Sequence, residues 1–362
     1  MKTEQHDVSI RSVAPWSAEY PRNQWYVAAY SDEITRKPLS RWLLDRPVVL
    51  YRDDAGSPVA LFDRCPHRGY PLSEGALIGN AIQCGYHGLQ FGPDGTCVHI
   101  PCGGAVGREG RVASYALVER WQFIWMWAGD PALADSSLIP NLTAMSFDSP
   151  GWQCETSALL EVSANYLMPF ENFLDASHIT FLHAGQIDSG DVAGVPIEME
   201  TSGRRVSVTR RLCNELPGSL TGKTLGDRST RVDRTIIAEA FVPNLCGIRT
   251  EISAVGETDP FSIVQLIIAI TPRTDSSCYE FTAVARSRPN TNPDRHRDLR
   301  KLLMEDVIAM DRIQTLAAKL PQEQLVEIGL AADKGVYQAR RILDRMLRQE
   351  SQVRQECVDV SQ

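Results

Sequence analysis

Two short loops constrain this chain more than any other feature of it. Cys65-Pro66-His67-Arg68-Gly69 is followed by Cys84-Gly85-Tyr86-His87-Gly88, with sixteen residues between His67 and Cys84. Each loop offers one thiolate and one imidazole. In a mixed-ligand two-iron, two-sulfide cluster, two Cys hold one iron and two His the other, so each loop can give one ligand to each iron. Tetrahedral zinc also accepts two Cys and two His. Zinc fingers, however, usually bring Cys with Cys on a hairpin and His with His on a helix, whereas both pairs here are mixed. Gly69, Gly85 and Gly88 let the backbone approach a cluster with no Cβ in the way, and Pro66 stiffens the first loop.

The loops lie among short β-type runs. Pro47-Val48-Val49-Leu50-Tyr51, Val59-Ala60-Leu61-Phe62 and the turn Gly92-Pro93-Asp94-Gly95 mark a small all-β unit between Trp25 and Trp127. Its last strand, Trp121 to Trp127, places four aromatics at period two, which favours packing in a core. The break at Gly129-Asp130-Pro131 predicts three parts: a polar tail over 1–20, a domain over 21–135 and a second over 136–362. Beyond the break come a helical segment near 165–183, several strands up to Pro272 and a helical region from about Pro293. Gly103 to Gly107 reads as a surface loop, and no phosphate-loop or dinucleotide fingerprint stands in the required context. Electrons therefore come from another protein.

Composition narrows the partners. The chain has 362 residues, 43% hydrophobic and 23% charged, which is room for two globular domains. With 37 Lys+Arg against 45 Asp+Glu the net charge is −8, which gives no cationic surface for nucleic acid or an anionic membrane. Met1 to Ser12 lacks the apolar core of a secretory signal, so a cytoplasmic location is expected. The apolar run Phe261 to Ile270 is half the length of a membrane span and reads as a buried strand. Nine cysteines scattered singly suit a reducing compartment, with Cys97, Cys102, Cys154 and Cys213 expected as buried thiols. His99 and His296 receive no role.

A second cluster of metal-capable residues lies between Glu171 and His183, in a chain with only seven histidines. At about 100° per residue, Asn172, Asp175 and His178 share a broad helix face, whereas His178 and His183 diverge by about 140°. Both reach one ion only if the helix stops or unwinds between them, which Ile179, Thr180 and Gly185 permit. Two imidazoles and one carboxylate leave positions open on an iron for dioxygen and substrate. The carboxylate comes from elsewhere. Residues 294–320 read as an amphipathic helix with the stripe Leu299, Leu303, Met310, Ile313, Ala317 and Leu320, and Asp306 falls on that stripe. An inward carboxylate is costly unless bound to metal or paired with a buried Arg. Asp311 and Glu305 lie off the stripe, leaving Asp306 as the ligand of choice.

The two loops resemble those of Rieske domains. Tyr70 and Tyr86 stand where the cytochrome-complex members carry an additional disulfide, so the likeness is to the disulfide-free domains of soluble oxygenases and ferredoxins. These have potentials toward the low end of the roughly −150 to +300 mV window. Together with Asn23-Gln24-Trp25-Tyr26-Val27-Ala28, the Asn172-to-His183 motif and Glu305-Asp306, the chain resembles the terminal oxygenases of Rieske non-haem iron systems. The likeness is greatest to the compact branch of vanillate and dicamba O-demethylases.

That resemblance implies an α+β fold: an N-terminal all-β Rieske [2Fe-2S] domain, then a helix-grip-like catalytic domain of antiparallel sheet and helices. It implies Cys65, His67, Cys84 and His87 as cluster ligands and His178, His183 and Asp306 as ligands of mononuclear Fe(II). Asn172 falls beside that set, and Asp175 becomes the carboxylate bridging it to the cluster of a neighbouring subunit in a homotrimer. A separate NAD(P)H-dependent reductase would supply electrons, and a small aromatic substrate would be hydroxylated with O2, at an O-methyl or N-alkyl group if the outcome is demethylation. The sparse polar groups of 261–270 weakly favour a neutral, largely apolar aromatic, and core packing explains the same strand equally well. Ring hydroxylation or cis-dihydroxylation, and an electron carrier without oxygenase activity, are the competing readings.

Overall fold

The computed structural model describes residues 19–104, 110–184, 186–187, 192–227, 229–290 and 292–360. Expectations that fall on most of the N-terminal tail, on much of the Gly103–Gly107 loop and on Gly185 lie outside the described residues.

Three small antiparallel sheets form the N-terminal part. The strands are β1 (Trp25–Tyr30), β2 (Leu39–Leu43), β3 (Arg46–Arg52), β4 (Pro58–Phe62), β5 (Ala76–Ile78), β6 (Ala81–Gln83), β7 (Gln90–Phe91), β8 (Cys97–His99), β9 (Leu117–Arg120) and β10 (Phe123–Trp127). They pair as β1-β10-β9, β2-β3-β4 and β5-β6-β7-β8. The last strand is shorter than its aromatics suggest, because Trp121 and Gln122 have positive φ and make the turn before it. Phe123, Trp125 and Trp127 are buried as expected, and so are Ile124 and Met126 between them. Both faces of β10 are covered, so period two fails to distinguish an outer face.

A seven-stranded antiparallel sheet organises the remainder, in the order β11-β17-β16-β15-β14-β13-β12. Its strands are β11 (Gln153–Val162), β12 (Glu198–Ser202), β13 (Arg205–Glu215), β14 (Val232–Phe241), β15 (Leu245–Ala254), β16 (Ser262–Thr274) and β17 (Ser277–Arg286). The sheet thus runs past Pro272 through one more strand. One face packs on β1 and β10 in a core that joins Trp25, Trp125 and Phe123 to Ile267, Tyr279 and Phe281. The other face carries the helices α1 (Leu167–Leu174), α2 (Ile179–Leu182), α3 (Ser219–Leu225), α4 (Arg295–Ala317) and α5 (Lys334–Val360). Leu160, Cys246, Ile268 and Cys278 of the sheet meet Phe170 and Phe173 of α1, Leu303, Val307 and Met310 of α4 and Ile342 of α5 in that second core. The α+β fold therefore stands.

The cysteines depart from expectation. Cys246 and Cys278 are fully buried on the helix side of the sheet, but Cys102 and Cys213 are exposed and Cys97 and Cys154 only half-buried. Cys213 alternates outward on β13 and Cys102 lies in a turn, positions that spacing alone does not reveal.

Candidate functional site

The two N-terminal loops are built to one pattern. Cys65 N–H donates to Tyr70 O at 2.9 Å and Gly69 N–H to Cys65 O at 2.9 Å; Cys84 N–H donates to Leu89 O at 2.8 Å and Gly88 N–H to Cys84 O at 3.0 Å. Each turn closes on a glycine with φ near +75°, +76° at Gly69 and +74° at Gly88, a conformation that L side chains resist. Conformation, more than clearance for a cluster, is what requires those two glycines. The loops bring the rings of His67 and His87 to 4.5 Å, both exposed, while Cys65 and Cys84 are buried beneath them. Burial pushes the Cys65 thiol up, the backbone N–H of His67 pulls it down, and the neighbouring Cys84 raises it again. Paired buried sulfurs under paired exposed imidazoles fit a cluster whose His-bound iron faces outward, where electrons would enter and leave.

The second site forms where α1 breaks. The helix ends at Leu174, and Asp175, extended at φ −102° and ψ 100°, caps a single 3-10 turn over Ala176–His178 through Ser177 N–H at 3.0 Å. Four residues of α2 then carry the chain to His183. The break therefore comes before His178, at the Asp175 cap, and not between the two histidines as the angular argument required. The rings still meet, with centroids 5.3 Å apart.

Asp306 reaches them from α4. Its Oδ1 lies 3.1 Å from His183 Nε2 and 3.5 Å from His178 Nε2, and the ligand atoms of the three residues all fall within 4.8 Å of one another. Asp306 is 3% exposed, so the inward carboxylate read from the helix stripe is real, and its partners are imidazoles and Asn172 Nδ2 at 3.1 Å, not an arginine. Ile313, expected on the same stripe, is 48% exposed because the helix turns that side to solvent.

Glu305 has a role that the stripe argument discarded. Its Oε2 accepts from His183 Nδ1 at 2.9 Å and its Oε1 from Gln186 Nε2 at 2.6 Å. Burial lowers the His183 pKa, but Asp306 and Glu305 together outweigh it and hold the imidazole above its ordinary value. At His178 burial prevails and the pKa falls. Such hydrogen bonds to the far ring nitrogen fix which nitrogen faces a metal. The helical stripe gives Glu305 no role, because its position on α4 is off the buried face; only the Glu305-Asp306 pair of the family resemblance includes it.

Asp175 makes its contacts within the chain through both its backbone and its carboxylate. His178 Nδ1 meets the backbone oxygen of Asp175 at 2.7 Å, while the carboxylate binds the Ser177 hydroxyl at 2.6 Å and Arg210 Nη2 at 3.2 Å. The carbonyl thus orients the His178 ring within the chain. Arg210, buried on β13, escaped sequence reading because nothing in the Arg210-Arg211 pair marks which of the two faces inward.

Ile248 of β15 packs against both the α4 core and the group containing Ile179, beside His178, and is register-paired with Leu266 of β16. Both are only half-buried, although the next helix-facing pair, Cys246 and Ile268, is fully buried. Both side chains lie on the helix-facing side of the sheet, and Ile248 also meets the group around Ile179, the residue after His178.

A two-His, one-carboxylate set together with a two-Cys, two-His loop pair in one chain defines a Rieske-type non-haem iron monooxygenase. Sequence comparison agrees: residues 24–116 match the Rieske [2Fe-2S] domain and residues 162–349 the vanillate O-demethylase oxygenase C-terminal domain. The chain belongs to the vanillate O-demethylase oxygenase family. It is 32% identical to the vanillate O-demethylase oxygenase subunit of Pseudomonas sp. (strain HR199 / DSM 7063), over 92% of this chain and 96% of the relative. Identity is 31% to the dicamba O-demethylase oxygenase component of Stenotrophomonas maltophilia, over 90% and 98%. The crystal structure of dicamba monooxygenase bound to 3,6 dichlorosalicylic acid superposes with a TM-score of 0.86 at 29% identity, covering 92% of this chain and 99% of that one. Its cofactors are accordingly a Rieske [2Fe-2S] cluster and mononuclear non-haem iron. Among the described residues no helix is long and apolar enough to cross a membrane.

Proposed function

We propose that this oxygenase component demethylates a neutral, largely apolar aromatic bearing an O-methyl or N-alkyl group. The observation that supports the substrate class is the apolar, half-buried pair Ile248 and Leu266 on the helix-facing side of the sheet, with Ile248 packed in the group around Ile179, next to His178. Cys65, His67, Cys84 and His87 would hold the cluster, and His178, His183 and Asp306 the iron. When bound, these groups supply single electrons and the activation of dioxygen. His178 and His183 are held in fixed tautomers by the Asp175 carbonyl and Glu305, and Asn172 steadies Asp306. In this reading such apolar side chains exclude water and orient the methyl group. Overall, R–OCH3, O2, two electrons and two protons give R–OH, formaldehyde and water.

The reading extends to assembly. A separate NAD(P)H-dependent reductase supplies the electrons, the protein is cytoplasmic, and three copies place one subunit's cluster beside the next subunit's iron. Asp175 is then the carboxylate between them, held ready by Arg210, and the chain divides near residue 135. A panel of methoxy- and N-methyl-aromatics, with a surrogate reductase, tests the proposal by formaldehyde release and oxygen uptake. Stoichiometric formaldehyde from neutral members supports it. Oxygen-dependent diols without formaldehyde would establish ring dihydroxylation instead.

A further inference from the structure

Glu280 is a carboxyl group placed where none is expected. It lies at the middle of β17, fully buried, and among the described residues neither of its oxygens meets a hydrogen-bond donor. Strand alternation puts it on the helix side, in line with Cys278 and opposite the inner-face residues Tyr279 and Phe281. Its register neighbours are Leu160 on β11 and Ile270 on β16.

The placement relative to the triad follows from two contacts. Arg295 near the start of α4 binds Glu155 on β11, and Asp311 Oδ1 accepts from Ser163 N–H at 2.8 Å just beyond that strand's end. The helix therefore runs along β11, and Asp306 comes over the level of Leu160, whose partner is Glu280. The acid therefore lies on the helix-facing side of the sheet at the level of Asp306, near enough to feel its charge.

Burial and the charge of Asp306, in that order, push the Glu280 pKa up to about 8, so near neutrality the group is neutral. The titratable groups around it are Asp306 from α4, Cys246 from β15 and Cys278 on its own strand, both thiols being pushed up by burial with Glu280 adding to the effect. A divalent cation arriving at Asp306 reverses the sign of the local field, and nearby charge is one of the three determinants of a carboxyl's ionisation.

We propose that Glu280 is a proton-bearing counter-charge of the metal centre: it keeps its proton while the triad is empty and releases it to solvent when a divalent cation enters between His178, His183 and Asp306. This rests on the triad's being a cation site. It explains why a carboxyl with no protein partner persists in a hydrocarbon core: its partner is the field of the ion.

The test uses the full-length protein with its cluster intact and the mononuclear site emptied by chelation. Co(II) is titrated by calorimetry at pH 7 in buffers of different protonation enthalpy, for the wild type and for Glu280→Gln. Both should bind one Co(II) per chain, with the wild type releasing close to one proton more. Below pH 8 its affinity should also rise about tenfold more per pH unit than that of the variant. Equal proton counts would overturn the proposal, whereas no binding by either protein would overturn the cation site instead. Infrared difference spectra of the wild type alone give an independent reading: Co(II) should remove a protonated-carboxyl band that shifts in D2O, and its persistence would equally refute the idea.

Discussion

Asn172 donates from Nδ2 to Asp306 Oδ1 across 3.1 Å, and that same oxygen is the one facing both histidines. The amide sits on the last turn of α1 and the carboxylate on α4, so one hydrogen bond ties the two helices at the metal site. It also fixes which carboxylate oxygen points at the imidazoles.

Replacing Asn172 by Ala removes that constraint without touching a ligand atom. Groups that orient metal ligands typically contribute about 10- to 100-fold in affinity or activity. The expected result is a loss of that size in turnover with an unchanged cluster spectrum, measured as formaldehyde release against the visible absorption of the cluster.

Asp306→Ala removes the only carboxylate of the triad. The metal content should fall from three irons per chain to two, with the cluster still reducible, and turnover should drop by about 10³-fold or more, since loss of a catalytic metal forfeits several kcal/mol. Iron analysis beside the cluster spectrum checks both halves of the expectation.

Much of this was readable beforehand, and the reasons differ by site. The Rieske loops are local: five residues each, closed by their own hydrogen bonds and a left-handed glycine, so spacing alone carries them. Asp306 was legible because a carboxylate on a buried helical stripe contradicts the stripe. Arg210 and Glu280 were not, nor was the contact role of Glu305, since each gains its meaning from residues distant in sequence: His183 and Gln186 for Glu305, the α1 break for Arg210 and α4 for Glu280. The helix break was misplaced for a related reason. Side-chain capping by Asp175 ended α1 earlier than propensity at Ile179 and Thr180 would have done.

Asp175→Asn keeps the side chain's shape and its cap on Ser177 but removes the charge facing Arg210. His178 is held by the backbone oxygen, so both metal sites should remain filled. If Asp175 links cluster and iron across subunits, turnover should fall by about 100-fold, and re-oxidation of the pre-reduced cluster in a single turnover should slow in parallel. Wild-type rates in this variant would place the electron route elsewhere.

Glu280 also sets a pH dependence of stability in the metal-free protein. Its folded pKa, about 8, lies above the ordinary carboxyl value of 4.5, so the folded state binds more protons than the unfolded chain between those limits. Its stabilising proton is fully present below about pH 4.5 and is lost as pH rises through 8, and stability should therefore decline across that window. Glu280→Leu replaces the buried acid with hydrocarbon of similar bulk. The variant should match or exceed the wild type at pH 8 by a few kcal/mol, the scale on which a displaced carboxyl contributes, and the advantage should shrink toward pH 5. Thermal melts of both chelated proteins from pH 5 to 9 decide it: parallel curves would mean that Glu280 does not titrate in this range.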